Sequence, residues 1–329
     1  MKLLKIMCLF LCAALLLCGC APASDPADDP ADSTGSSEST GSAESTGTTE
    51  STGAAKPDVL TKEPPKTLKV LAIGNSFSID GMQYLYQIAE EAGVEEIVLG
   101  NLFYGGCSLS EHLNFARDDS PSYDYYKNTE GTWELNAKYK MSDAILDEEW
   151  DYITMQQESG ASGRSDTYKG VLSQLIDYVQ SKNSTATLAW HMTWAYEAGC
   201  THSEFPLYDN DQMKMYNGIV GCVSEHILTE PHFSFVIPSG TAIQNARTSF
   251  IGDTLTRDGF HLDKQIGRYI ASLTWFAAIT NSPVESIKFN PAKLAITDDM
   301  LKVAREAATN AVNNPYAVTQ SAFTEGVRP

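Results

Sequence analysis

The sequence predicts an α/β protein in three layers, with a central parallel sheet of five strands covered by helices on both faces. Three observations predict it. Short apolar runs, rich in aliphatic and β-branched residues, recur between residues 68 and 237. They are apolar throughout instead of alternating with polar residues, as strands buried on both faces are. Between them lie segments whose apolar residues return at helical spacing, and strands that alternate with helices pair in parallel. Ligands of such sheets bind beyond the carboxyl ends of the strands.

The first strand is Leu68-Lys69-Val70-Leu71-Ala72-Ile73, closed by Gly74. Asn75, Ser76 and Ser78 follow as cap-type residues, and Met82, Leu85, Ile88 and Ala89 recur behind them at helical spacing. Ser76 therefore stands between a buried strand and a helix amino terminus, among amide donors and a favourable dipole. From this stretch alone it is as well read as a helix cap as a nucleophile.

The second strand is expected over residues 96–103, with a turn at Gly105-Gly106-Cys107-Ser108 and a helix over 109–115. Residues 118–140, with Tyr123, Tyr125, Tyr126 and Trp133, read as an irregular loop or small insertion over one face. A helix over 141–149 leads to the third strand at Tyr152, Ile153 and Met155, which runs into Gln156-Gln157-Glu158-Ser159. Further helices are expected over 168–179, 212–228 and 264–280, and strands over 185–190 and 233–237, the last ended by Pro238. On this reading Ser76, Gly106, Gln156 and His191 gather on one edge of the sheet.

The amino-terminal region is a different material. Lys2 and Lys5 precede an apolar run from residue 6 to 17 that ends in Cys18-Gly19-Cys20, which reads as a secretory signal over 1–19. The run is too short for a lasting membrane span. Its ending resembles a bacterial lipobox, with Cys20 as the lipidated first residue of the mature chain. Residues 20–66 are poor in large apolar side chains and repeat Ser-Thr-Gly units, as at Ser39-Thr40-Gly41 and Ser45-Thr46-Gly47. Such a composition cannot offset chain entropy by burial and is expected to be a disordered tether. Its r.m.s. reach is roughly 35–40 Å. The domain is expected over 67–315, followed by a polar tail over 316–329. The expected setting is thus an exported, membrane-anchored protein facing the cell exterior.

The net charge of −19 and the lack of a basic patch exclude nucleic acid as an expected partner. Beyond Cys20 the mature chain has Cys107, Cys200 and Cys222, without C-x-x-C or zinc spacing. A Cys200–Cys222 disulfide and three unpaired thiols are both compatible with this. No metal or organic cofactor is expected.

Near the end of the domain stands Thr256-Arg257-Asp258-Gly259-Phe260-His261. An aspartate can orient an imidazole while the imidazole takes a proton from a serine hydroxyl. Alone, this D-x-x-H is more readily an ion pair or a helix cap. In chain order, however, Gly74-Asn75-Ser76-Phe77-Ser78, Gly105-Gly106, Gln156 and Asp258-x-x-His261 together resemble the SGNH (GDSL-type) hydrolase superfamily, and within it a carbohydrate-esterase-like branch. The resemblance covers about residues 68–281 and implies a flavodoxin-like fold. It implies Ser76 as nucleophile, His261 as general base and Asp258 as its orienting acid. The amides of Ser76 and Gly106 and the side chain of Gln156 would form the oxyanion hole.

The chain departs from the pattern twice. Its first block is Gly-Asn-Ser-Phe-Ser, not Gly-Asp-Ser-Leu, and its third lacks Gly-x-Asn-Asp. Gln156-Gln157-Glu158-Ser159 looks instead like the Gln-Gly-Glu-Ser of some acetyl-carbohydrate esterases, and Gln157 remains an alternative donor to Gln156. The G-x-S-x-G elbow of α/β-hydrolases is absent. His191 is expected near substrate as a contact, as a competing base or, more commonly for such a histidine, as a plain hydrogen-bonding partner. Trp194 with the tyrosines of 118–140 is expected as a stacking surface for a sugar or equally as plain packing. The implied activity is hydrolysis of an ester, an O-acetyl group on carbohydrate foremost. A lipase or thioesterase, or a non-catalytic carbohydrate-binding protein, are the alternatives.

Overall fold

The computed structural model describes residues 60–293 and 295–329. The expected signal peptide, Cys20 and most of the expected tether lie outside the described residues. Seven strands form one sheet in the order β4-β3-β2-β1-β5-β6-β7. They are β1 (Thr67–Gly74), β2 (Glu96–Phe103), β3 (Tyr123–Asn128), β4 (Glu134–Tyr139), β5 (Tyr152–Met155), β6 (Thr187–His191) and β7 (Phe233–Ile237). The five expected strands are parallel to one another, with Gly74 beside Phe103, Met155 beside Trp190 and His191 beside Ile237. In chain order they run 2-1-3-4-5, the doubly wound arrangement whose crevice opens between β1 and β5.

The sheet is mixed and larger than expected. The stretch read as an irregular insertion folds into the antiparallel hairpin β3–β4, added to the β2 edge. Tyr123 and Tyr125 are buried at alternate positions of β3, while Asp124 and Tyr126 between and after them are half-exposed. That period of two fixes a strand. Outer strand β4 is almost wholly exposed and carries Glu134 and Lys138, which suits an edge kept from pairing with other chains.

The helical segment after β1 divides into α1 (Ser76–Met82) and α2 (Leu85–Glu91). The break falls where the Tyr84 N–H donates to Ser272 Oγ at 3.1 Å, a tertiary bond that replaces a helical one. The remaining helices are α3 (Leu109–Arg117), α4 (Met141–Leu146), α5 (Leu172–Lys182), α6 (Gln212–Cys222), α7 (Ser239–Arg247), α8 (Ile266–Thr280) and α9 (Asp298–Asn313). One layer joins α1, α2, α7 and α9 around α8, and the other joins α3, α4 and α5. Fourteen of the fifteen residues of α8 are buried, so this helix is the axis of its layer.

Two helices go beyond the sequence reading. Helix α7 follows Pro238 directly, and α9 buries Met300, Leu301, Val303, Ala304, Ala307, Ala308 and Ala311 behind the Thr297 cap. The expected polar tail is not loose. Thr319 N–H donates to Asn245 Oδ1 at 2.7 Å, Ser321 N–H to Thr248 Oγ1 at 2.8 Å, and Phe323 packs on the core. At the other end Leu60, expected in the tether, is 4% exposed and belongs to the core. Among the described residues no helix is long and apolar enough to cross a membrane.

Candidate active site

Because β1, β2, β5, β6 and β7 are parallel, their carboxyl ends deliver Ser76, Gly106, Gln156, Trp194 and Ser239 to one edge of the sheet. Ser76 opens α1, so its N–H has no helical carbonyl behind it to bond. Asn75 caps that helix, its Oδ1 accepting from the Phe77 N–H at 3.0 Å. The same side chain donates from Nδ2 to the Cys107 carbonyl at 3.2 Å, tying the turn that carries Ser76 to the turn after β2. In that turn Gly106 has φ +65°, which a glycine adopts without strain.

His261 Nε2 lies 2.8 Å from Ser76 Oγ, and His261 Nδ1 lies 2.7 Å from Asp258 Oδ2. Asp258 Oδ1 accepts from the backbone N–H of His261 at 2.8 Å and of Phe260 at 3.3 Å. Partial burial pushes the Asp258 carboxyl up, but these bonds and the imidazole charge outweigh it and hold it below the usual carboxylate range. Asp258 is therefore an acceptor, and it directs an Nδ1–H tautomer whose bare Nε2 faces the serine hydroxyl. The loop that carries both is itself held. Arg257 N–H donates to the His261 carbonyl at 2.9 Å, Glu197 N–H to the Gly259 carbonyl at 2.7 Å, and Thr256 bridges Leu262.

Two cavities meet at Ser76. One, of about 300 Å³, is lined by Asn75, Ser76, Gly106, Glu158, Phe260 and His261 among others. The other, of about 340 Å³, is lined by Ser76 with Asp80, Arg257, Arg268, Tyr126 and Trp133 among others. A larger cavity of about 990 Å³ opens at the opposite edge, where Thr67, Tyr152 and Thr187 begin their strands. It contains neither a hydroxyl–imidazole pair nor a strand carboxyl end.

Residues 69–311 match the model of a domain of unknown function, DUF4886. The chain belongs to the DUF4886 family. A DUF4886 family protein from Bacteroides uniformis, known from a crystal structure, is 44% identical, with a TM-score of 0.74 over 77% of this chain and 98% of that one. Two other structures are more distant. A putative SGNH hydrolase from Slackia heliotrinireducens is 20% identical (TM-score 0.43, 65% of this chain and 99% of that one). A family 3 carbohydrate esterase from Clostridium thermocellum is 14% identical (TM-score 0.39, 65% and 95%). Their likeness is too slight to assign any residue a role. No curated protein matches the chain by sequence.

Three expected site residues stand elsewhere in this DUF4886 domain. Gln156, expected in the oxyanion hole, is 1% exposed and lines neither cavity at Ser76. Its Nε2 donates to Asn75 Oδ1 at 2.8 Å, and its Oε1 accepts from His191 Nδ1 at 2.8 Å. The neighbouring Gln157 is also buried, its Oε1 accepting from the N–H groups of Leu109 and Glu158 at 3.0 and 2.8 Å. His191, expected near substrate, is 1% exposed, with Nε2 3.0 Å from Ser239 Oγ. Burial pushes its imidazole down to about 3, so it stays neutral. Trp194, expected to stack on a sugar, is fully buried. It stacks on Phe77 with ring centroids 4.3 Å apart, and its Nε1 donates to the Phe260 carbonyl at 2.7 Å.

The polar residues behind the site thus form a line, Ser239–His191–Gln156–Asn75, that ends one residue before Ser76. Asn75 was legible only as a cap. Asp80 and Arg257 were not legible as site residues, although Arg257 adjoins Asp258 in the chain. Of the expected stacking tyrosines, Tyr123 and Tyr125 are buried, and Tyr126 with Trp133 lines the second cavity. Cys107, Cys200 and Cys222 are free thiols. Burial pushes Cys222 up to about 12 and Cys107 higher still, so neither is a thiolate nucleophile. Among the described residues no cluster of three or more His, Cys, Asp or Glu side chains could hold a metal ion.

Proposed function

We propose that this chain is a serine esterase of the SGNH type, acting on O-acyl groups of carbohydrate, O-acetyl foremost. The observation that carries this is the unbroken line Asp258–His261–Ser76, with contacts of 2.7 and 2.8 Å, opening into the cavity that Gly106 lines. Ser76 Oγ attacks the ester carbonyl as its proton passes to His261 Nε2. The carbonyl oxygen gains the negative charge and faces the N–H groups of Ser76 and Gly106, donors in place before the charge appears. Collapse breaks the bond to the alcohol oxygen, which leaves with the proton from His261. Water then repeats the sequence on the acyl-serine, releasing the acid and restoring Ser76. Asp258 steadies the imidazolium formed in each half.

The same reading places the domain on a lipid anchor at Cys20, outside a bacterial cell and within reach of its glycan substrates. It rests on the lipobox-like Gly19-Cys20 ending and the Ser/Thr/Gly tether.

A fluorophosphonate probe should label the wild-type protein and leave Ser76→Ala unlabelled. On an aryl acetate, Ser76→Ala and His261→Ala should each lose about 10³-fold or more in kcat, and the double variant little beyond that. Turnover by Ser76→Ala close to wild type would remove the nucleophile and the proposal with it.

A further inference from the structure

The second cavity at Ser76 holds a charge arrangement that the triad does not use. Asp80 is fully buried and meets two arginines. Arg257 Nη1 lies 3.2 Å from both Asp80 oxygens, and Arg268 donates from Nε at 2.8 Å and approaches through Nη2 at 2.7 Å. Asp80 Oδ2 also accepts from the Leu262 N–H at 2.8 Å, beside His261. Two guanidinium groups against one carboxylate leave one positive charge over. Asp263, the next carboxyl along, faces inward to the N–H groups of Gln265 and Gly267 at 2.8 and 2.7 Å and does not line the cavity.

The surplus charge is presented, not hidden. Arg268 spends a third nitrogen on Gln83 Oε1 at 2.7 Å and is 12% exposed. Arg257 is 29% exposed and uses Nη1 alone, on Asp80 and the Leu262 carbonyl. Its Nε and Nη2 have no protein partner among the described residues, and the side chain lines the cavity. Paired guanidinium donors with a fixed fork match an oxyanion held in two bonds. The same cavity is lined by Tyr126 and Trp133 from the β3–β4 hairpin, with Phe103 set edge-on to Tyr126 at 6.1 Å. Aromatic lining and a fixed cation in one cavity suit a ring that carries one negative charge.

We propose that the ester acted on at Ser76 is carried on an anionic sugar, a uronate-type ring whose carboxylate binds Arg257 while the ring lies against Trp133 and Tyr126. This rests on the esterase reading and names its substrate class. A monoanion neutralises the single surplus charge. A neutral sugar leaves the Arg257 donors unpaired as water is expelled, which is costly.

The test compares two substrates differing in one group, mono-O-acetyl glucuronate and mono-O-acetyl glucose, at low and high salt. The wild-type protein should favour the glucuronate by about tenfold or more in kcat/KM, chiefly through KM, as expected for one charge-assisted contact. That ratio should shrink with salt, and Arg257→Gln should bring it close to one. Free glucuronate should compete with the glucuronate ester at concentrations where glucose does not, a measurement on the wild-type protein that holds even if the variant fails to fold. Equal kcat/KM for the two esters, or an unchanged ratio in Arg257→Gln, would overturn the anionic-sugar assignment. Failure to cleave any acetyl ester, or to react with fluorophosphonate, would instead overturn the esterase reading beneath it.

Discussion

Gln156 follows β5 at the edge where Ser76 lies, and both ends of its amide are taken, by Asn75 and His191, at 2.8 Å each. Position along the chain is legible from a motif. Which neighbour satisfies a buried amide depends on rotamers and on partners distant in sequence, here 81 residues away. Its contacts then hold Asn75, which caps the helix that Ser76 opens. Gln156→Ala should cost about 1–3 kcal/mol in stability, because it strands buried polar groups on both neighbours. It should lower kcat by about tenfold with KM nearly unchanged, as Asn75 loosens beneath Ser76. Loss of a true oxyanion donor typically costs about 10²–10³-fold. Steady-state kinetics with denaturant unfolding separates the two: a large kcat loss at full stability would return Gln156 to the oxyanion hole.

Among the elements, the five parallel strands were legible because a strand buried on both faces is apolar at every position, as Val70 to Ile73 are. The β3–β4 hairpin was not, since only Tyr123 and Tyr125 mark its buried face among charged and polar neighbours. Helix α9 was legible in principle, since Met300, Leu301, Val303 and four alanines line one face behind the Thr297 cap, the face that packs on α8. The pairing of Asp258 with His261 was legible because both sit within one short loop. How the loop is held was not, because Trp194 reaches its Phe260 carbonyl from 66 residues away. That contact gives the loop a test of its own. Trp194→Phe keeps a ring against Phe77 but leaves the carbonyl without its donor, so about 1–3 kcal/mol of stability should be lost. For a domain of this size that is roughly 2–4 °C in Tm per kcal/mol. Activity should fall in kcat, since His261 follows Phe260 directly. Calorimetry and kinetics on one preparation check this, and an unchanged Tm would show that the Trp194–Phe260 bond does not brace the loop.

At the scale of the whole molecule, burial links folding to pH. His191 and His112 are both fully buried, and burial pushes each imidazole down to about 3. In the unfolded chain each titrates near the ordinary value of about 6.5. Between those values the unfolded state binds a proton that the native state refuses, so acid favours unfolding. Each histidine then removes up to about 1.4 kcal/mol per pH unit. From pH 7 to 5.5 the pair should cost about 2–3 kcal/mol. Asp258, held below the usual carboxylate range, contributes stability that is lost only at lower pH, as pH falls through its folded value. Glu204 and Asp263, both raised by burial, act in the opposite sense, so the observed slope is a difference. His112 isolates its own share. It lines neither cavity at Ser76, with Nδ1 2.8 Å from the Tyr123 hydroxyl and its ring stacked on that tyrosine. His112→Gln should remove about 1 kcal/mol from the stability difference between pH 7 and 5.5, whatever it does to stability at pH 7. Urea unfolding of both proteins at the two pH values measures this directly. An unchanged difference would mean that His112 is protonated in the native state, and that the layer over β3 admits the water its burial denies.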